Sequence, residues 1–230
     1  MSPARSSKPA AYISRLSAFA FAIYCTQTAC MTKGRLEAFS DGVLAIIITI
    51  MVLEIKVPHS DTLASLKPLL PALLSYVLSF IYIGIYWNNH HHMLHTVRHI
   101  NGSTLWANTH LLFWLSLVPF ATHWMGENHF TALPVAVYGI ILFMAGFAYY
   151  ILLHTLIRLH GKDSLLAHAI GGDKKGIVSI VVYAVGIILS FTAPAISLIL
   201  YAAVAAMWLI PDPRIEKLLY NKKEKNNYQE

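Results

Sequence analysis

Cysteine is nearly absent from this chain. Of 230 residues only Cys25 and Cys30 are cysteine, both near the start, so no disulfide or thiolate site is needed by the rest. Charge is scarce as well. Asp, Glu, Lys and Arg make up 12% of the residues against 57% hydrophobic, and the mean hydropathy is +0.56, which excludes an ordinary soluble domain. Catalytic patterns are missing too: there is no H-E-x-x-H, no Gly-rich phosphate loop, no Ser-His-Asp order and no paired-carboxylate site. Gly171-Gly172 reads as a loop turn. No internal repeat and no low-complexity linker divides the chain, so a single domain is expected.

What the chain has instead is a succession of apolar runs of about 20 residues, the length that crosses a hydrocarbon core of about 30 Å. They fall near 39–57, 69–87, 105–124, 135–157, 177–191 and 195–210. Only Thr192-Ala193-Pro194 separates the last two. One unbroken helix there would overshoot a bilayer, whereas two short helices joined at a proline fit it. The expectation is an all-α membrane protein with six transmembrane helices. Basic residues orient it. With the chain start inside, Lys33, Arg35, Arg98, Arg158, Lys162, Lys174, Lys175, Arg214, Lys217, Lys222, Lys223 and Lys225 gather on the inner side. Only Lys56 and Lys67 fall outside, leaving apart Arg5, Lys8 and Arg15 in the leader. That bias places both termini in the cytoplasm and the protein, multi-pass, in the cell membrane. Basic inner loops beside anionic lipid account for the net charge of +6, with no nucleic acid needed.

Residues 1–30 read differently. Scattered basic residues, a short apolar run at 16–25 and Thr28-Ala29-Cys30 give a faint signal-peptide look, while Met31-Thr32-Lys33-Gly34-Arg35 reads as a translation start. The segment is expected to be a disordered leader or an over-extended start, with a short amphipathic surface helix as the alternative. Residues 31–211 form the six-span domain, and 212–230 form a polar cytoplasmic tail after Pro211-Asp212-Pro213, disordered at its end.

The most specific stretch is Arg35-Leu36-Glu37-Ala38-Phe39-Ser40-Asp41, which sets two charges of opposite sign at the mouth of the apolar run 42–53. An ionisable group entering a membrane helix costs a few kcal/mol and normally finds a partner. Six residues at 1.5 Å rise separate Arg35 from Asp41 by about 9 Å, too far for a direct pair within the helix. Partners across helices are therefore expected: Trp87, Asn89, His90 or His91 from the second span, and Asn108 or His110 from the third. Beyond the motif, Ile46, Ile50, Leu53 and Val57 share one helical stripe with Thr49 at its edge. By itself that stripe reads as lipid-facing or packing surface.

The R-x-x-x-F-S-D opening followed by an isoleucine-rich helix closely resembles the signature of the transmembrane protein 175 family, potassium channels of bacteria, archaea and animal lysosomes. The likeness in layout covers residues 31–211; the specific motif is confined to 35–53. It implies a homotetramer with the first helix lining the pore. Ile46 would form the narrowest ring, Ile50 and Leu53 further apolar rings toward the outside, and Thr49 would help choose potassium over sodium. Arg35, Phe39, Ser40 and Asp41 would build an inner knot holding the pore helix to its neighbours. The function so implied is passive conduction of potassium, with other monovalent cations or protons as further permeants, through an isoleucine/leucine constriction. No enzyme activity and no cofactor are implied; the partners are the ions, the lipid bilayer and further copies of the chain. A closed ring of branched side chains dewets a narrow pore and so gates it. The T-V-G-Y-G filter of ordinary potassium channels is absent, so strong carbonyl-based selectivity is not expected. The stretch 115–122, with Pro119, resembles the proline-containing third helix of the family, where it acts as a packing kink.

Two rival readings belong to other classes. His90-His91-His92 with His95 and His99 offers i, i+4 pairs suited to a metal in a membrane-embedded metal-dependent protein, but no carboxylate or cysteine ligand lies nearby in sequence. A secondary transporter is disfavoured because no span carries an ionisable residue near its centre and no broken-helix pair is evident. Trp106, Trp114, Trp124, Tyr138, Tyr149 and Tyr150 fit interfacial belts and packing.

Overall fold

Long apolar runs with few helix breakers fold as helices because every backbone N–H and C=O is then bonded within its own segment, as a hydrocarbon environment demands. The computed structural model describes residues 32–170 and 174–209 of this chain, so the leader 1–30 and the tail 212–230 lie outside the described residues. Within them the chain runs as α1 (Lys33–Leu53), a 3-10 segment (Leu63–Leu69), α2 (Leu70–His95), α3 (Gly102–Ser116), α4 (Val118–Glu127) and α5 (Ala132–His160). The short α6 (Leu165–Ile170), α7 (Lys174–Leu189) and α8 (Pro194–Leu209) complete it. Among the described residues there is no strand.

Local chemistry sets the ends. Prolines stand in the first turns of α2 and α4 and open α8, where a missing N–H costs nothing. Asn101 caps α3, its Oδ1 accepting from the backbone N–H and the hydroxyl of Thr104, both at 2.9 Å. Gly161 ends α5 with φ +85°, a conformation that favours glycine. Two expectations change. The third apolar run is two helices rather than one, because Pro119 has no N–H for the carbonyl of Leu115 and its ring crowds that turn. The second run stays helical well past Trp87, as far as His95, so His90, His91, His92 and His95 share the helix while His99 lies beyond its end. By length and composition, Lys33–Leu53, Leu63–His95 and Ala132–His160 can each cross a bilayer, and Pro194–Leu209 is apolar but shorter.

The packing centres on α5, whose Tyr138, Leu142, Ala145, Leu152 and Leu156 are buried against α3, α4, α7 and α8. Tyr201 of α8 lies flat across two glycines. A Cβ on Gly139 would strike its hydroxyl oxygen, and one on Gly186 would come within 2.5 Å of its ring. Glycine at both positions is what lets α5, α7 and α8 close around that ring. On the other side of α2, the helix α1 rests against α2, α3 and α4 and contacts the rest of the bundle through one face only.

Candidate functional site

The two faces of α1 differ sharply. Leu36, Ser40, Leu44, Ile47 and Met51, spaced at helical intervals, are buried in the subunit. Opposite them a bare stripe runs from Phe39 and Asp41 through Ile46, Thr49 and Ile50 to Leu53; Ile46 is 58% exposed and Leu53 is 79% exposed, whereas Ile47 is 3% exposed. Val57 continues the exposure beyond the helix. The Thr49 hydroxyl donates to the carbonyl of Ile46 at 2.9 Å, a bond within the helix that uses its one hydrogen and leaves its oxygen able to accept.

Polar chains at two depths hold this helix in place. At the motif end, His90 Nε2 donates to Asn108 Oδ1 (2.7 Å), Asn108 Nδ2 donates to Ser40 Oγ (3.0 Å), and the Ser40 hydroxyl donates to the Leu36 carbonyl (2.9 Å). That direction fits the Nε2–H tautomer of His90 and leaves no member of the chain unmatched. All three side chains are buried, and the chain ties α2, α3 and α1 together. Beside it, at the surface of the subunit, Trp87 Nε1 donates to Asp41 Oδ1 at 3.0 Å. Of the candidate partners, then, Asp41 takes Trp87, and Ser40 takes the Asn108–His90 pair. Asn89 turns back to the Ile85 carbonyl, His91 stacks on Trp87 with centroids 6.1 Å apart, and His110 accepts from Trp114. The guanidinium of Arg35 is exposed and makes no ion pair among the described residues. Nearer the other end, Tyr138, Ser79 and Thr122 form a second directed chain. Tyr138 donates to Ser79 at 3.0 Å, Ser79 to Thr122 at 2.6 Å, and Thr122 to the Val118 carbonyl at 2.7 Å. Thr122 also touches the sulfur of Met51 at 3.9 Å, so this chain backs the buried face of α1.

The far end of α1 is tied by charge. Lys56 Nζ meets Glu127 Oε2 at 3.0 Å, and His123 Nδ1 lies 3.8 Å from Glu54 Oε2. Beyond the apolar run 105–124, the Lys56 ammonium hydrogen-bonded to Glu127 holds that carboxyl below its ordinary range. These pairs were not legible beforehand, because Lys56 and Glu127 are 71 residues apart. The histidines do not converge. His90 faces Asn108, His91 and His95 pack ring against ring, and His99 pairs with His160 at 4.6 Å; among the described residues no three His, Cys, Asp or Glu side chains are placed to hold a metal.

Comparison with known proteins places this geometry. The sequence model of the endosomal/lysosomal potassium channel TMEM175 family matches residues 35–119, the stretch from the motif arginine to the helix break. A potassium channel of a Chryseobacterium species is 60% identical over 189 residues, covering 82% of this chain and 98% of that one. A potassium channel of Streptomyces collinus is 35% identical over 134 residues, 55% of this chain and 65% of that one. Among solved structures, the crystal structure of a lysosomal potassium-selective channel TMEM175 homolog from Chamaesiphon minutus superposes with a TM-score of 0.67 at 29% identity, covering 78% of this chain and 97% of that one. With a relative matched over nearly its whole length at 60% identity, and with the motif helix packed on its neighbours through Ser40 and Asp41, the chain belongs to the TMEM175 family of membrane cation channels.

Proposed function

We propose that this chain is one subunit of a homotetrameric potassium-permeable channel, with six spans and cytoplasmic termini, in which four copies of α1 surround the pore. The observation that carries the reading is the bare stripe of α1. It begins at Asp41, passes Ile46, Thr49 and Ile50, and ends at Leu53 beside Glu54, on a helix packed against its own subunit through the opposite face only. A surface meant for lipid alone would not carry a carboxylate. Around a four-fold axis the same stripe gives stacked rings: Ile46 the narrowest, Ile50 and Leu53 beyond it, and Thr49 adding oxygens where a partly dehydrated ion passes. Apolar rings of this kind stop flow by dewetting, and a slight widening admits an ion that sheds part of its water. Potassium, held by its hydration shell less tightly than sodium, passes such a ring more readily.

The test is permeation. Liposome flux under potassium and sodium gradients is compared for wild type, Ile46→Ala and Ile46→Asn, with Val185→Ala on the exposed face of α7 as control. Shrinking Ile46 should raise flux and flatten the preference between the two ions, and Val185→Ala should do neither. Wild-type flux and selectivity in both Ile46 variants would remove this residue from the pore.

A further inference from the structure

A subunit of a closed ring presents two different edges, because each copy meets one neighbour on its left and another on its right. Here the edges flank α1. At about 100° per residue, Ala38, Ala45 and Val52 point about 80–120° to one side of Ile46, while Ile50 and Glu54 point about 40–80° to the other. All of them are exposed. The remaining side of the helix is occupied within its own subunit, where Ser40 meets Asn108 of α3, Met51 meets Thr122 of α4 and Asp41 meets Trp87 of α2.

The two edges have opposite relief. On the Ile50 side, α1 and α4 bound an open groove of about 630 Å³, with Ile50 and Glu54 on one wall and Phe120, His123 and Trp124 on the other. Trp106, Phe113 and Phe120 recur every seven residues and are 77%, 54% and 61% exposed. Leu117, between the two helices, keeps right-handed helical dihedrals, so the three rings form one stripe along α3 and α4 that runs into the groove. On the opposite edge of α1, Ala38, Ala45 and Val52 also recur every seven residues, and their side chains are short. Depths agree as well. Ser40 lies level with Asn108 and Met51 with Thr122, which sets Ala38, Ala45 and Val52 near the levels of Trp106, Phe113 and Phe120. Rotation about a four-fold axis along α1 leaves depth unchanged, so residues level within one subunit stay level between neighbours. Lipid imposes neither a shared period nor a shared depth on the faces beside it.

We infer that the aromatic stripe Trp106, Phe113 and Phe120 is the surface on which the next copy of this chain docks, receiving the Ala38, Ala45 and Val52 edge of that copy's α1, which fills the groove beside Ile50 and Glu54. Bulky rings seat against short side chains, and the short side chains let neighbouring helices approach closely. The contact is head to tail, so four copies close the ring. This inference rests on the four-fold pore and names the surface that builds it.

Cysteine pairs provide the test. With Cys25 and Cys30 changed to serine, Ala45→Cys with Phe113→Cys leaves two thiols per chain. Ala45 points about 140° away from Ser40, the residue of α1 that meets α3, so the two thiols do not meet within one chain. Treated with a short membrane-permeant bis-methanethiosulfonate and run on a denaturing gel, this variant should give a ladder of dimer, trimer and tetramer. Ala45→Cys with Val185→Cys, on the exposed face of α7, should stay monomeric on the gel. Native mass spectrometry of the same samples reads assembly separately. Tetramers by mass without the ladder would overturn this interface and leave the α1 pore standing, whereas monomers by mass would remove both. A ladder that stops at the dimer would overturn the head-to-tail contact. Should the first pair fail to fold, Val52→Cys with Phe120→Cys reads the same interface two turns further along, and tetramers left unlinked there would overturn it equally.

Discussion

Asn108→Leu isolates the motif-end chain that fixes α1, and its cost can be worked from the structure. Asn108 has no exposed surface, so no water replaces its amide, and leucine has the same branched shape with slightly bulkier tips, so the loss is polar rather than a cavity. Two hydrogen bonds disappear. Hydrogen bonds between membrane helices average about 0.6 kcal/mol by double-mutant cycles. The larger effect is the His90 Nε2–H, 3% exposed, which is left without an acceptor and adds about 1–3 kcal/mol. Ser40 suffers less, because its hydroxyl keeps the Leu36 carbonyl. The expected loss is about 2–4 kcal/mol, measured by reversible unfolding in mixed micelles. A cycle with His90→Leu sharpens it: removing both partners leaves no orphaned donor, so the double variant should be more stable than the two single losses predict by about 1–2 kcal/mol. Strict additivity, or an Asn108→Leu variant as stable as wild type, would show that the chain does not hold α1.

Tyr201 carries a buried hydroxyl with no hydrogen-bond partner among the described residues, so Tyr201→Phe should be neutral or slightly stabilising, whereas Gly139→Ala, whose Cβ would strike that oxygen, should cost about 1–3 kcal/mol or more by thermal denaturation. Tyr201→Phe should recover part of the Gly139→Ala loss, and no recovery would place the strain elsewhere. The Lys56–Glu127 tie depends on a carboxyl whose folded value is depressed, so its contribution is present above the ordinary carboxylate range and is lost as pH falls through the lowered folded value. Because the pair is exposed, Lys56→Met should cost no more than about 1 kcal/mol near neutral pH and nothing in strong acid; a larger loss in acid than at neutrality would contradict the assignment.

The helices of this protein are decided locally. Run length, proline placement and the 3.6-residue period are properties of neighbouring residues, so the sequence alone located the apolar elements, the stripe Ile46–Ile50–Leu53 and the charged opening at Arg35 and Asp41. The break at Leu117 was half visible, because Pro119 marks a disturbance but does not say whether a helix bends or ends. Which side chains meet was not legible. Asp41 and Trp87 are 46 residues apart, and Ser40 and Asn108 are 68 apart. Several polar residues near the ends of α2 and α3 were equally plausible partners until the rotation and depth of each helix were fixed. Those two quantities come from packing: the burial of Leu44, Ile47 and Met51 turns α1 so that Ser40 faces inward and Ile46 outward, and the glycines under Tyr201 set how near α5, α7 and α8 approach. A helical period gives a face without saying what the face will touch, and only the tertiary structure, through close packing of many weak contacts, made that choice.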